Sequence, residues 1–227
     1  MSPSPASAQI DHLVVMASTL EAGTDWCGRT LGLCPGPGGQ HALMGTHNRL
    51  LNISSPKHPQ AYLEIIAIDP QAQAPTRRRW FDMDDPALRA RVQTQGPQLV
   101  HFVVRVADAV AAVAALRAQG HDPGAVLSAS RASPNGLLQW QITVRADGQR
   151  LFGGGLPTLI QWGTAHPTEA LPACGISLTR LTVAHPRSAD LAAAYAALGL
   201  DTVVVHAGPA RLQAELDTPQ GPVKLLA

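Results

Sequence analysis

A chain of 227 residues can bury a substantial core, and a composition that is 45% hydrophobic and 15% charged excludes a disordered polymer. The formal charge of +1 excludes a strongly basic nucleic-acid binder; the triplet Arg77, Arg78 and Arg79 reads as a solvated turn or a local anion clamp. No apolar run approaches the roughly 20 residues of a membrane helix, and MSPSPASAQ lacks a basic stretch followed by an apolar one, so no membrane contact and a cytoplasmic protein are expected. Cys27, Cys34 and Cys174 are odd in number and lack a CxxC spacing, which makes them ordinary buried or surface thiols.

In chain order, Ile10 to Ala17 alternates as a strand, Ser18 with Glu21 resembles a capping box, and Gly32 closes the helix that follows. Further strands are predicted around Gln40 to Gly45, Arg49 to Ser54 and Tyr62 to Asp69, with Gly, Pro, Asn and Ser signals between them. The first unit, residues 8–70, therefore reads βαβββ. Residues 71–97 read as a linker lying over the surface, with a short helix starting near Asp85-Pro86.

The same order returns over 98–165. Leu99 to Val106 is a strand, Asp108 caps an Ala/Leu helix ended by Gly120, and strands follow at Ala125 to Ala132, Leu138 to Arg145 and Thr158 to Trp162. Pro134-Asn135-Gly136 and Asp147-Gly148 supply turns. A third, partial module over 176–227 starts with Leu178 to Pro186 and a helix through SADLAAAYAALGL; short strands at Asp201 to His206, Arg211 to Leu216 and Val223 to Leu226 complete it. Such strand-rich units with one helix each favour an α+β fold with helices on one sheet face, leaving the other face to line a cavity.

A strand period of two puts His12 on the face of Ile10 and Val14, and Glu64 with Tyr62 and Ile66 in an apolar run. His101 shares a face with Val103 and Arg105, and Gln161 with Leu159. His12 and Glu64 are 52 positions apart and His101 and Gln161 are 60 apart, so each unit offers a first-strand His and a last-strand polar group. Brought together, the four would offer N and O donors suited to a divalent ion. Burying Glu64 costs several kcal/mol unless a charge, metal or donor meets it, which makes it the strongest functional candidate. His47, Asn48 and Arg49 and the Arg105 guanidinium are candidate substrate contacts, and Trp80-Phe81, Trp140 and Trp162 candidate walls. No GxSxG, HExxH, P-loop or dinucleotide motif occurs, and Gly153-Gly154-Gly155 lacks the following helix of a phosphate cradle.

The runs IDHLVV, GTHNRLLNI, YLEIIAIDP, LVHFVVRV and LPTLIQWG, spanning roughly residues 8 to 165, resemble the glyoxalase-like branch of the vicinal oxygen chelate superfamily. The resemblance implies paired βαβββ modules closed into a cup-shaped half-barrel. It implies metal ligands at His12, Glu64, His101 and Gln161 and a zinc, nickel, manganese or iron ion; metal-free relatives also exist. Gln161 departs from the carboxylate common at that position, and an amide is a weak ligand and no base.

Three functions follow. The first is a metal-dependent lyase or isomerase on a small oxygenated substrate, with Glu64 as ligand or proton shuttle. The second is a metal-free binding or sequestration protein using Arg105, His47 and the tryptophans. The third is an Fe(II) extradiol-type dioxygenase built on His12, His101 and Glu64. A monomer is expected if the third unit covers a sheet edge, and a homodimer otherwise.

Overall fold

Apolar alternation and glycine stops generate the first module much as expected. In the computed structural model, which describes residues 7–133 and 136–227, β1 (Gln9–Met16) leads into α1 (Leu20–Leu31). Thr19, not Ser18, caps that helix by accepting from the Ala22 amide, and Gly32 ends it with φ 75°. β2 (Gln40–His41), β3 (Thr46–Asn52) and β4 (Tyr62–Ile68) complete the unit. The second comprises β5 (Gln98–Arg105), α3 (Ala109–Ala118), β6 (Ala125–Ser133), β7 (Gly136–Val144) and β8 (Thr158–Trp162), after an intervening α2 (Pro86–Gln95). Pro134 and Asn135 of the expected turn lie outside the described residues.

These eight strands form one sheet in the order β2-β3-β4-β1-β5-β8-β7-β6. Each module pairs its first strand parallel to its last, and the two modules join where β1 runs antiparallel to β5. The twisted sheet curls almost closed into a cup, an α+β architecture. Arg131 on β6 reaches across the open seam and donates to the Gly38 carbonyl ahead of β2. A Cβ on Gly39 would lie 2.4 Å from that guanidinium, so a larger residue there would push the arginine aside.

Two bulges in the β1–β5 pairing set the site. The register steps from Ile10↔Val104 to His12↔Val103, skipping Asp11, and from Val14↔His101 to Val15↔Leu99, skipping Val100. Ile10 therefore joins Leu13 and Val15 in the helix-side core, while Asp11 and His12 both turn into the cup. The expected grouping of His12 with Ile10 is corrected by this extra residue.

The third unit keeps the element order with β9 (Ser177–Ala184), α4 (Ser188–Leu198), β10 (Val203–His206), β11 (Arg211–Thr218) and β12 (Gly221–Leu226). Its strands are ordered β10-β9-β11-β12, unlike the other two modules, and form a separate sheet. That sheet packs on the helix side of the cup, where Leu178, Leu181 and Leu216 share a core with Leu13, Phe102 and Leu116. The Tyr195 hydroxyl donates to the Gly155 carbonyl across this junction. The unit covers a sheet face, and the edges of the large sheet remain β2 and β6.

The segment between the modules is not superficial. Trp80, Phe81, Met83, Leu88 and Val92 are buried in the cup-side core, and Asp85 caps α2 by accepting from the Leu88 amide. Arg77 and Arg78 are exposed, whereas Arg79 pairs with Asp84 at 2.7 Å. Among the described residues no helix is long and apolar enough to cross a membrane.

Candidate functional site

Asp11 is the best-connected group in the cup. Its Oδ1 accepts from His12 Nδ1 at 2.7 Å, and its Oδ2 from Trp162 Nε1 at 2.9 Å and His166 Nε2 at 3.1 Å. Burial alone would raise its pKa, but the hydrogen bonds and charges of His12 and His166 outweigh burial and hold the carboxyl well below the usual range. A buried anion with three donors fixes the His12 tautomer: Nδ1 carries the hydrogen, and Nε2 presents its lone pair to the cup. The His12 ring is stacked on Tyr62, centroids 4.5 Å apart. Burial, then the nearby Asp11 and Glu64, keep the Tyr62 phenol protonated far above its ordinary range.

Glu64 enters from β4 on the face expected for it and is 4% exposed. Asn48 Nδ2 donates to its Oε1 at 2.6 Å, while Oε2 faces His12 Nε2 at 3.7 Å. The Asn48 amide is itself oriented, because its Oδ1 accepts from the Gly39 amide at 2.8 Å. Asn48 also lies 3.3 Å from His41 Nε2, whose other nitrogen meets Thr46 Oγ1 at 3.0 Å. Burial lowers the His41 pKa to about 4, with Glu64 opposing and Arg131 assisting the shift, so His41 is a neutral acceptor near pH 7. Trp80, Trp140, Trp162 and Arg131 wall the same chamber.

His101 belongs to a different hollow, beyond Trp80 and Phe81 and lined also by Thr143, Arg150 and Leu156. Its Nε2 accepts from the Thr158 amide at 3.1 Å, and the Phe81 ring lies 5.1 Å away. Burial, then Arg150, lowers its pKa to about 3. Gln161 faces the helix side, where its Oε1 accepts from the Ala109 amide at 2.8 Å, at the start of α3. Cup-facing Ile160 and Trp162 flank it. The expected set of four thus divides: His12 and Glu64 meet, His101 lines the other hollow with Nε2 engaged by Thr158 and Nδ1 without a hydrogen-bond partner among the described residues, and Gln161 is on the opposite face.

This donor set does not fit the expected metal. Among the described residues no group of three His, Cys, Asp or Glu side chains is arranged to hold an ion. Of the expected substrate contacts, Asn48, Trp140 and Trp162 face the chamber. His47 and Arg49 alternate with Asn48 and point to the outer side, near Glu21 of α1. Arg105 is engaged by Gln9 Oε1 at 2.8 Å and lies 3.6 Å from Asp11.

Four contributors were not singled out from sequence: Asp11, His41, Arg131 and His166. Arg131 was accessible to the period-two count, since it follows Leu127 and Ala129 on one face of β6. Asp11 depends on a bulge, and His166 on a short 3₁₀ turn after the last strand, Pro167–Ala170; neither carries a clear sequence signal.

Comparison with known proteins agrees with this fold. Residues 10–199 match a family model described as a glyoxalase-like domain. A hypothetical protein from Staphylococcus aureus superposes with a TM-score of 0.59 at 15% identity, over 96% of this chain and 85% of its own. A methylmalonyl-CoA epimerase from Mycobacterium tuberculosis is similar at 17% identity and TM-score 0.38, over 71% of this chain and 91% of its own. A hypothetical protein from Bacillus halodurans gives 12%, 0.39, 71% and 97% respectively. No curated protein matches the chain.

Proposed function

The chain belongs to the glyoxalase-like domain family of the vicinal oxygen chelate superfamily, and from that premise we propose that its cup moves a proton on a small oxygenated molecule. The supporting observation is the 3.7 Å gap between His12 Nε2 and Glu64 Oε2. With Nδ1 committed to Asp11, both atoms are acceptors, so neither satisfies the other. A shared proton or a ligand X–H placed between them would. The pair can take a proton from one position of a bound carbonyl compound and return it at another, as a lyase or isomerase requires. Asn48 holds Glu64, Asp11 holds His12, and the tryptophans exclude water.

The reading assigns His12 and Glu64 as the acid–base pair, with Asn48, Trp140 and Trp162 as substrate contacts. It gives His101 and Gln161 no part in the chemistry, and the iron dioxygenase reading loses its second histidine with them. A binding or sequestration protein is the second reading, favoured by the aromatic walls of the chamber. The deciding experiment follows uptake of solvent deuterium, by NMR, into small 2-oxo and 2-hydroxy carbonyl compounds. Exchange that falls roughly 100-fold or more in H12A and E64Q supports the enzyme. Ligand binding with no exchange by the unaltered protein supports sequestration.

A further inference from the structure

Beyond the reacting pair, the chamber has a second arm. A neighbouring hollow shares Leu50, Arg131 and Pro167 with it and continues between Pro37, Leu138 and Leu171. Its lining is mainly apolar, as small-molecule sites are. Arg131 stands where the two arms meet.

The guanidinium at that junction has no carboxylate within ion-pair distance among the described residues. Arg131 is half-buried and donates to the Gly38 carbonyl at 3.3 Å. Its field reaches into the chamber, where it disfavours protonation of His41. The Gly38-Gly39 backbone leaves room for it, since side chains there would collide with Asn48 and with the guanidinium itself. A guanidinium held in this manner presents its remaining N–H groups as a fork suited to a carboxylate.

We infer that the ligand is a monocarboxylate with an apolar tail. Its carboxylate sits on Arg131, its oxygenated α-carbon faces His12 and Glu64, and its hydrocarbon chain fills the arm between Leu50, Leu138 and Leu171. The reversed orientation is disfavoured, because exposed Glu169 lines the apolar arm and would repel an anion there. A dianionic head such as a phosphate ester is disfavoured because one guanidinium must serve it beside the Glu64 carboxyl. This inference names the substrate class for the proton-transfer site and rests on that reading.

The test uses the full chain with octanoate, methyl octanoate and butyrate as probes in calorimetric titration. Octanoate should bind at least tenfold more tightly than either of the others. R131Q should lose at least tenfold in octanoate affinity with the ester unchanged, and R131K should retain part of it. L171S should shrink the advantage of octanoate over butyrate. Equal binding of acid and ester by the unaltered protein, a comparison that needs no variant, would overturn the inference, as would full octanoate affinity in R131Q. Octanoate binding without deuterium exchange in 2-oxooctanoate sinks the proton-transfer reading alone. Exchange in short neutral carbonyls with no preference for octanoate sinks the tailed-carboxylate inference alone.

Discussion

The Nδ1 of His12 lies 2.7 Å from the Oδ1 of Asp11, its immediate neighbour in the chain. Successive residues of a regular strand point to opposite faces, so this contact exists only through the bulge that turns Asp11 inward. Replacing Asp11 with Asn should break it in a specific way. An amide would turn an N–H toward at least one of the donors His12, Trp162 and His166, and the His12 tautomer would no longer be fixed. Deuterium exchange by D11N should fall roughly 100-fold or more, with Nε2-protonated His12 visible by ¹⁵N NMR. Undiminished exchange would remove Asp11 from the site.

Acid should destabilise the fold through its buried histidines. His41 and His101 have pKa values lowered to about 4 and about 3, against 6.5 for a free imidazole. Between about pH 6.5 and 4 the unfolded chain holds a proton on each that the fold does not, so stability is greatest above 6.5 and falls with pH by roughly 1.4 kcal/mol per unit for each. Asp11 adds a further loss once pH drops below its ordinary 3.8. Urea midpoints measured from pH 7 to 4 should therefore decline, and H101F should flatten the slope by about one proton. A pH-independent midpoint over that interval would contradict the burial of both rings.

How far sequence reasoning reached is set by where the strands are regular. β4 pairs with β1 and β3 without a register break, and Glu64 is on the face that simple alternation gives it. His12 lies beside a bulge, so of the partners alternation gives it Val14 shares its face while Ile10 is turned to the helix side, and Asp11 stays hidden. Alternation also paired Gln161 with Leu159 correctly, yet it does not say which face of a strand meets the helices. Leu159 lies in the helix-side core. In the inter-module segment the polar run from Gln71 to Arg78 gives no sign that Trp80, Phe81 and Met83 just after it plug the cup.

Gln161 offers a clean separation of structural from ligand roles. Its carbonyl caps the first turn of α3, so Q161A should cost about 1 kcal/mol in denaturant stability, as loss of a helix cap does. Q161E keeps an acceptor there and adds a charge favoured by the helix N-terminus, so stability should be held or slightly raised. Calorimetric titration with zinc or nickel should show no gain in affinity for Q161E. A marked gain would place that side chain in the cup after all.

Helix α1 presses on the strand that carries Glu64. A Cβ on Gly23 would lie 2.4 Å from Ile65 Cγ2 and 3.1 Å from Ala17 Cβ. G23A gains up to about 1 kcal/mol in helix propensity, but overpacking costs typically about 1–3 kcal/mol, so the collision should win. The melting temperature should drop, and Glu64 should move with its neighbour. A stabilised G23A protein would mean that α1 can rise off the sheet.

The third unit yields the last prediction. It adds no strand to the cup sheet, so removing it should not create an edge; it should uncover a face. Truncation after Gly175 would strip Leu178, Leu181, Leu191, Leu198 and Leu216 from a core that they share with Leu13, Phe102, Leu116 and Leu156. It would also leave the buried Gly155 carbonyl without the Tyr195 hydroxyl. Each large apolar side chain withdrawn from such a core is worth about 1.5–3 kcal/mol of burial, and a domain holds only about 5–15 kcal/mol in total. Five such losses are as large as that margin, so the 1–175 fragment should aggregate or unfold, while Y195F in the full chain should lose only about 1 kcal/mol and remain monodisperse. Light scattering and circular dichroism of the fragment decide the matter. A cooperative, monomeric fragment with native ellipticity would show that the cup closes its own core and that the third unit is an accessory.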